Sequence, residues 1–348
     1  MPHLVRFVSP RNAEVVEVEE EPLGEGQVSI STIYSGISAG TELTAYRGSN
    51  PYLNSEWDAE RRLFVPGTTS RSYPLDAWGY EEVGRITAVG PGVPADAVGS
   101  LVWGTWGHRS QAVKPAEYAL ARTLPESDDP VAGIFAKIGA IALNAVLDAD
   151  IHVGETVVVF GAGVPGQIVA QLARLNGGRV ISADLVPARR ELAEQLGAWR
   201  VLDPSAESVA EQVRALTGNR GADVVIEMSG SYHALQEAIR TAAYSSRVVV
   251  GGFFQGEATP VRLGEEFHHN RVQIVGSQIS GVAPSLQHRW DELRMSSTAL
   301  ELEREGRLHL TELITHLVPA EEAPEMFTML DTRPEAALQV VLDYRDER

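Results

Sequence analysis

The sequence predicts an α/β chain in which a β-rich first part is followed by a doubly wound parallel sheet of six strands. Three observations predict it. Residues 157–184, VVVFGAGVPGQIVAQLARLNGGRVISAD, read as strand, glycine turn, helix, strand and terminal carboxylate in one pass. Past Asp184 the strand and helix patterns keep alternating to residue 279. Before residue 125 the pattern is instead one of short apolar runs broken by Gly and Pro turns.

Taken in order, the first part offers strands at 28–34, 83–89 and 101–103, the middle one closed by the turn sequence GPGVP. Residues 49–76 are less regular and hold Tyr52, Trp57, Phe64 and Tyr73, the pattern of a long loop or lobe. From Asp129 the spacing of Ile134, Ile138, Ile141 and Leu143 is helical and marks a crossover between domains. Val157 to Phe160 then suit a strand buried on both faces. Gly161, Gly163 and Gly166 satisfy G-x-G-x-x-G. The first allows the tight turn, the second lets a pyrophosphate approach the backbone, and the third permits close helix packing. Val164 and Pro165 fill the variable positions and open the helix, expected over 167–176, whose N-terminal amides point at that phosphate. A strand at 179–183 delivers Asp184, placed to accept hydrogen bonds from an adenosine ribose and to repel a 2′-phosphate, which favours NAD. Arg189 and Arg190 follow on the next helix, where either is in reach of a phosphate, so NADP stays open.

Further helices are expected at 187–196, 207–216 and 232–243, and strands at 200–202, 223–227, 247–253 and 272–279. A long polar helix at 287–305 leads to a strand, a helix and a last strand at 338–344 that can return to the first domain. Domain limits of 1–125, completed by 285–348, and 126–284 follow. The 348 residues and 44% hydrophobic content supply two cores. A formal net charge of -18 argues against nucleic acid or an anionic membrane as partner. With no cysteine, disulfides and thiolate metal sites are excluded. The N-terminus shows no apolar core of a signal peptide and no apolar run is read as long enough to span a bilayer, so a cytoplasmic location is expected.

With these pieces placed, the chain resembles the medium-chain dehydrogenase/reductase superfamily, alcohol and polyol dehydrogenase type, essentially end to end. The residues that carry the likeness are SGISAGTEL (35–43), WGYEEVGRITAVGPGV (78–93), GETVVVFGAGVPG (154–166), GADVVIEMSG (221–230) and ELITHLVPAEEAPEMFTML (312–330). The resemblance implies a GroES-like β domain, a Rossmann domain, an NAD-type cofactor contacted also by Ser229, and a homodimer or homotetramer joined at the edge strand near 272–279.

The departures carry the chemistry. Zinc members have G-I-C-G-T-D, G-H-E and a glutamate or cysteine before the crossover helix. Here those positions hold Ser38 with an extra Ala39 before Thr41, Tyr80 followed by Glu81, and Lys137. Serine and tyrosine are poor zinc ligands and an ammonium cannot coordinate a cation, so no catalytic metal is expected. The cysteine lobe that holds structural zinc in relatives is missing too, since Val102 runs directly into WGTWGHRSQA. A similar S-G-I-S-x-G-T-E and G-Y-E mark the bacteriochlorophyllide dehydrogenase branch, a likeness of site and not of substrate.

Without a metal, hydride transfer needs other donors or a cation at the reacting oxygen and a group to take the proton. Lys137 is the first candidate, set among the uncharged neighbours Phe135, Ala136, Ile138 and Gly139; its plain alternative is an exposed helix face. Tyr80 either donates to the substrate oxygen or fills the space of the histidine and metal. Glu81 either serves the site with Lys137 or forms a structural salt bridge. Thr41 matches the family's hydroxyl relay, and Ser38 is either a site residue or a satisfied turn residue. His268 and His269, in FHHNR, suit a structural or substrate-contact role. The expected activity is a zinc-independent NAD(H)-dependent dehydrogenase or carbonyl reductase acting on a secondary alcohol or ketone, cyclic polyol or sugar-like. The competing readings are an NADPH-dependent enone or quinone reductase and a non-catalytic dinucleotide sensor.

Overall fold

The computed structural model describes residues 1–345. The chain forms two compact units, Met1–Lys137 with the residues from Thr311 onward, and Ile138–Leu310. The expected limits lay at 125/126 and 284/285. Residues 285–310 fall instead with the second unit, where the Gln171 side chain accepts from the His309 amide at 2.8 Å and Ala299 packs so close to Gly139 that a Cβ there would meet its methyl at 2.6 Å.

In the first unit, β1 (His3–Ser9) and β2 (Asn12–Glu17) form an antiparallel pair, and β3 (Gln27–Ile37) leads into α1 (Ala39–Arg47). The expected lobe contains a hairpin, β4 (Ser55–Asp58) with β5 (Leu63–Pro66), in which Trp57 lies opposite Phe64. After β6 (Leu75–Asp76) come β7 (Glu82–Val89), β8 (Leu101–Gly104), β9 (Gln111–Pro115) and the short α2 (Ala116–Leu120). Trp103 and Trp106 are core residues here, with Trp106 packed among Val28, Ile30, Ile86 and Val102.

Residues 130–149 run as one helical stretch whose main part is α3 (Phe135–Ala149), beginning in the first unit and continuing in the second. This corrects one expectation: by length and composition the stretch is apolar enough to cross a membrane. With 67% of it buried inside the protein, it has the character of a core helix.

The second unit is the expected doubly wound sheet. Strands β10 (Thr156–Phe160), β11 (Arg179–Ala183), β12 (Arg200–Leu202), β13 (Ala222–Glu227), β14 (Ala242–Val250) and β15 (Gln273–Gly276) lie in the order β12-β11-β10-β13-β14-β15, all parallel. The helices are α4 (Val164–Leu175), α5 (Pro187–Gln195), α6 (Val209–Leu216), α7 (Tyr232–Thr241) and α8 (Glu292–Arg304). Every residue of β10 is buried, as its apolar run requires. Three boundaries move for local reasons. Helix α4 starts at Val164, three residues earlier than expected, because Pro165 fits its first turn. Helix α7 stops at Thr241, since Ala242 is already extended and pairs with Ala222. Helix α8 starts only at Glu292, where the Asp291 carboxylate caps it by accepting from the Arg294 amide at 2.8 Å.

The chain then returns to the first unit with β16 (Ile314–Pro319), α9 (Ala323–Thr332) and β17 (Gln339–Asp343). Strand β17 pairs antiparallel with β3, so that unit's main sheet runs β16-β17-β3-β7-β8, with β9 also on β3. The return of the last strand matters for the site, because it brings Gln339 alongside Ile37 and Gly36.

Candidate active site

In the second unit the glycine turn follows β10 directly. Gly161 has φ +87°, and a Cβ there would come within 2.8 Å of the Ser229 amide nitrogen; a Cβ on Gly166 would run into the Gly161 carbonyl oxygen. A Cβ on Gly163 would meet nothing, so the turn leaves an open cradle beside the N-terminal turn of α4, where Val164 and Pro165 are half-exposed. This is the shape a pyrophosphate needs, and the residues fit a dinucleotide. Asp184 stands at the end of β11 and accepts from the Ala162 amide at 2.6 Å and the Val186 amide at 2.8 Å, which fixes its carboxylate beneath the turn. Arg190 donates to the Asp184 carbonyl oxygen at 2.7 Å and pairs with Asp203 at 2.8 Å. Arg189 lies in α5, where its carbonyl oxygen accepts from Gln167 at 2.8 Å. Ser229 is exposed just past β13, its amide donating to Glu227 at 2.8 Å. Burial pushes the Glu227 carboxyl up to about 7, against the opposing pull of its Ser229 and Gly230 hydrogen bonds.

In the first unit the structure brings Ser38, Thr41, Tyr80 and Glu81 together. Ser38 precedes α1 without capping it through its side chain. Glu42 reaches back instead and accepts from the Ser38 amide at 2.8 Å, which leaves the Ser38 hydroxyl to bond the Tyr80 hydroxyl. Tyr80 also donates to Thr41 Oγ1 at 3.4 Å. The extra Ala39 therefore does not remove Thr41 from the cluster. Glu81 is buried beside Gly36, where no Cβ fits, and accepts from Gln339 of β17 at 3.3 Å. Its carboxyl is driven well above the usual carboxylate range by burial and by the nearby Glu42 and Glu82, against weaker opposing bonds from Gln339 and Ser38. Burial, then the Glu81 charge, likewise pushes the Tyr80 hydroxyl upward, so it stays a neutral phenol at physiological pH. Lys137 is half-buried near the start of α3 between the buried Ala136 and Ile138.

Sequence reasoning missed the groups behind this cluster. Glu42, Glu82, His108 and Ser35 are all fully enclosed. His108 meets Glu42 Oε2 through Nε2 at 2.6 Å and Ser35 Oγ through Nδ1 at 2.6 Å. Ser35 Oγ in turn lies 3.4 Å from Glu82 Oε1, and Glu82 Oε2 accepts from the Trp106 amide at 2.6 Å. The adjacent carboxylates Glu81 and Glu82 at the start of β7 were the available signal, since neighbouring residues on an extended chain face opposite sides. His268 and His269 are exposed, with His269 Nδ1 3.0 Å from the Glu265 carbonyl oxygen. Among the described residues no group of three His, Cys, Asp or Glu side chains is placed to hold a metal ion.

A GroES-like unit closed by the C-terminal strand and a Rossmann unit with an open glycine cradle together place the chain: it belongs to the medium-chain dehydrogenase/reductase superfamily, alcohol and polyol dehydrogenase type. Residues 163–297 match the zinc-binding dehydrogenase family. D-guloside 3-dehydrogenase of Escherichia coli K12 is 31% identical over 341 residues, covering 95% of this chain and 97% of that protein. L-threonine 3-dehydrogenase of Pyrococcus horikoshii is 27% identical, with 87% of each chain covered. Two solved structures share the fold. One is a zinc-binding dehydrogenase of Sinorhizobium meliloti 1021 bound to NADP (TM-score 0.78, 24% identity, 99% of each chain). The other is an alcohol dehydrogenase of Escherichia coli CFT073 complexed with NADH (TM-score 0.77, 21% identity, 98% of this chain and 99% of that one).

Proposed function

We propose that the protein is a zinc-independent, NAD(H)-dependent dehydrogenase or carbonyl reductase that interconverts a secondary alcohol and its ketone on a polyol or sugar-like substrate. The observation that carries the reading is the hydrogen-bonded Tyr80–Ser38 pair backed by buried Glu81, whose carboxyl is pushed up; the family resemblance, which aligns Ser38 and Tyr80 with zinc ligands, supports it. Gly161, Gly163, Val164, Pro165, Gly166, Asp184 and Ser229 would hold the dinucleotide, with Arg189 a further candidate on α5 for a phosphate contact. When bound, its nicotinamide supplies or accepts the hydride. The chain's own residues handle the proton. Tyr80, neutral at physiological pH, donates to the carbonyl oxygen during reduction, Ser38 bridges Tyr80 to Glu81, and Glu81 restores the proton. Thr41 holds the phenol in line, and the Lys137 ammonium supplies the positive charge that stabilises the developing alkoxide. The Asp184 carboxylate supports NAD over NADP, because a 2′-phosphate beside it would meet like charge. The name of the D-guloside relative supports a sugar-like substrate. By resemblance, two or four subunits assemble through the edge strand β15, where Ile274 is 40% exposed, in the cytoplasm.

The direct test is an NAD(H)- and NADP(H)-coupled turnover screen over glycosides, polyols, cyclic ketones and enones, with metal content measured on the same sample. Turnover of a glycoside or polyol with NAD is the expected result. Enone reduction with NADPH would replace this reading with the reductase one, and tight NADH binding without turnover would favour a sensor.

A further inference from the structure

The His108 imidazole touches no surface, is fully enclosed, and has both ring nitrogens committed, one to Glu42 and one to Ser35. The Glu42 partner leads back toward the hydroxyl cluster. Glu42 uses one carboxylate oxygen for His108 and the other for the Ser38 amide, at 2.6 and 2.8 Å. Ser38 then holds the Tyr80 hydroxyl. A second route runs through the backbone: Gly79 precedes Tyr80 with φ +130°, and a Cβ there would lie 3.0 Å from His108 Cε1 and Nε2, so the ring packs directly under the turn that carries the tyrosine. On a third side Phe327 of α9 meets the ring edge to face, with centroids 5.9 Å apart.

We propose that His108 is a positioning residue for the Tyr80 hydroxyl: as an imidazolium it anchors Glu42, which fixes Ser38 and through it the phenol, while the ring braces the Gly79 turn. The inference rests on the reading that Tyr80 meets the substrate oxygen. The charged groups that face the ring are Glu42 from α1 and Glu82 from β7. A buried carboxylate bridging an amide and an imidazolium is stable only while the cation is present, because desolvation of an unpaired charge is costly. Burial lowers the affinity of His108 for its proton, but the charge and hydrogen bond of Glu42 and the charge of Glu82 outweigh it, and the net shift is upward. The charge pair sets the geometry of a hydroxyl it never touches.

The test places 3-fluorotyrosine at position 80 and reads its fluorine resonance, a probe that needs no turnover. His108→Gln keeps a hydrogen-bond donor but not the charge. We expect the resonance to move and broaden, kcat on the best substrate of the screen to fall on the order of 10²-fold with a displaced pH profile, and NADH affinity to stay unchanged. The double variant His108→Gln/Glu42→Gln replaces the ion pair with a neutral one and should return the resonance toward its original position; Ser35→Ala, which leaves the ion pair in place, gives a smaller displacement and serves if His108→Gln does not fold. A resonance and pH profile that superimpose on those of the unaltered protein in His108→Gln, or in Ser35→Ala where His108→Gln does not fold, would overturn the proposal. A displaced resonance with undiminished turnover would uphold the positioning role and count against Tyr80 as the group that meets the substrate.

Discussion

At the scale of single residues, catalysis turns on which group gives up a proton. Glu81 is buried and faces the charges of Glu42 and Glu82, so its carboxyl remains protonated well above the ordinary range. The site is therefore poised to deliver a proton, and the sign follows. Ketone reduction should hold from acid pH upward and decline as Glu81 ionises, above the usual carboxylate range, whereas alcohol oxidation should climb over that same interval; initial rates in both directions across pH check this. Tyr80→Phe and Lys137→Ala should each cut turnover on the order of 10²-fold while NADH binding, read by fluorescence, is nearly unchanged. Ser38, Tyr80 and Lys137 were legible in the sequence because they stand where the family pattern expects other residues, and Thr41 and Glu81 because they match that pattern beside them. Glu42, Glu82 and His108 were not legible as a network, because His108 lies 66 residues from Glu42 along the chain and only the sheet brings them together.

At the scale of elements, the strand-turn-helix unit around Gly161–Gly166 was the most readable part, because each glycine answers a local requirement. β10, β11 and β12 appear where apolar runs and flanking turns placed them, and the strand order is that of a doubly wound sheet. Helix ends were less readable: Asp291 as a cap and the early extension at Ala242 depend on side-chain capping and strand pairing that periodicity does not encode. The turn also yields a prediction. A methyl group on Gly166 collides with the Gly161 carbonyl oxygen, so Gly166→Ala should push the helix off the strand, destabilise the protein by about 1–3 kcal/mol and weaken NADH binding at least tenfold. Thermal unfolding and a NADH titration measure the two effects. Gly163→Ala, where a Cβ meets no protein atom, should lose NADH affinity with little change in stability.

At the scale of the whole molecule, two buried carboxyls, Glu82 and Glu227, are each raised to about 7, and each lies in a different unit. Burial is the leading cause for both. A carboxyl whose folded pKa exceeds its unfolded value binds more protons in the folded state, so its contribution is greatest at low pH and is lost as pH rises from its unfolded value through its folded one. Stability should therefore fall between about pH 5 and pH 8, by up to roughly 3 kcal/mol for each carboxyl, and His108, also raised, adds to the loss at the upper end. Denaturant titrations at stepped pH check this, and Glu82→Gln or Glu227→Gln should each flatten the profile. The central claim is that this member of a zinc dehydrogenase family works through hydroxyls, a buried acid and a lysine in place of the metal. Its most direct test is turnover with NAD(H), on the best substrate of the screen, before and after exhaustive chelation, with zinc per subunit determined in the same tube. The account predicts undiminished turnover with zinc far below one per subunit; activity that disappears with one bound zinc and returns when zinc is restored would contradict it.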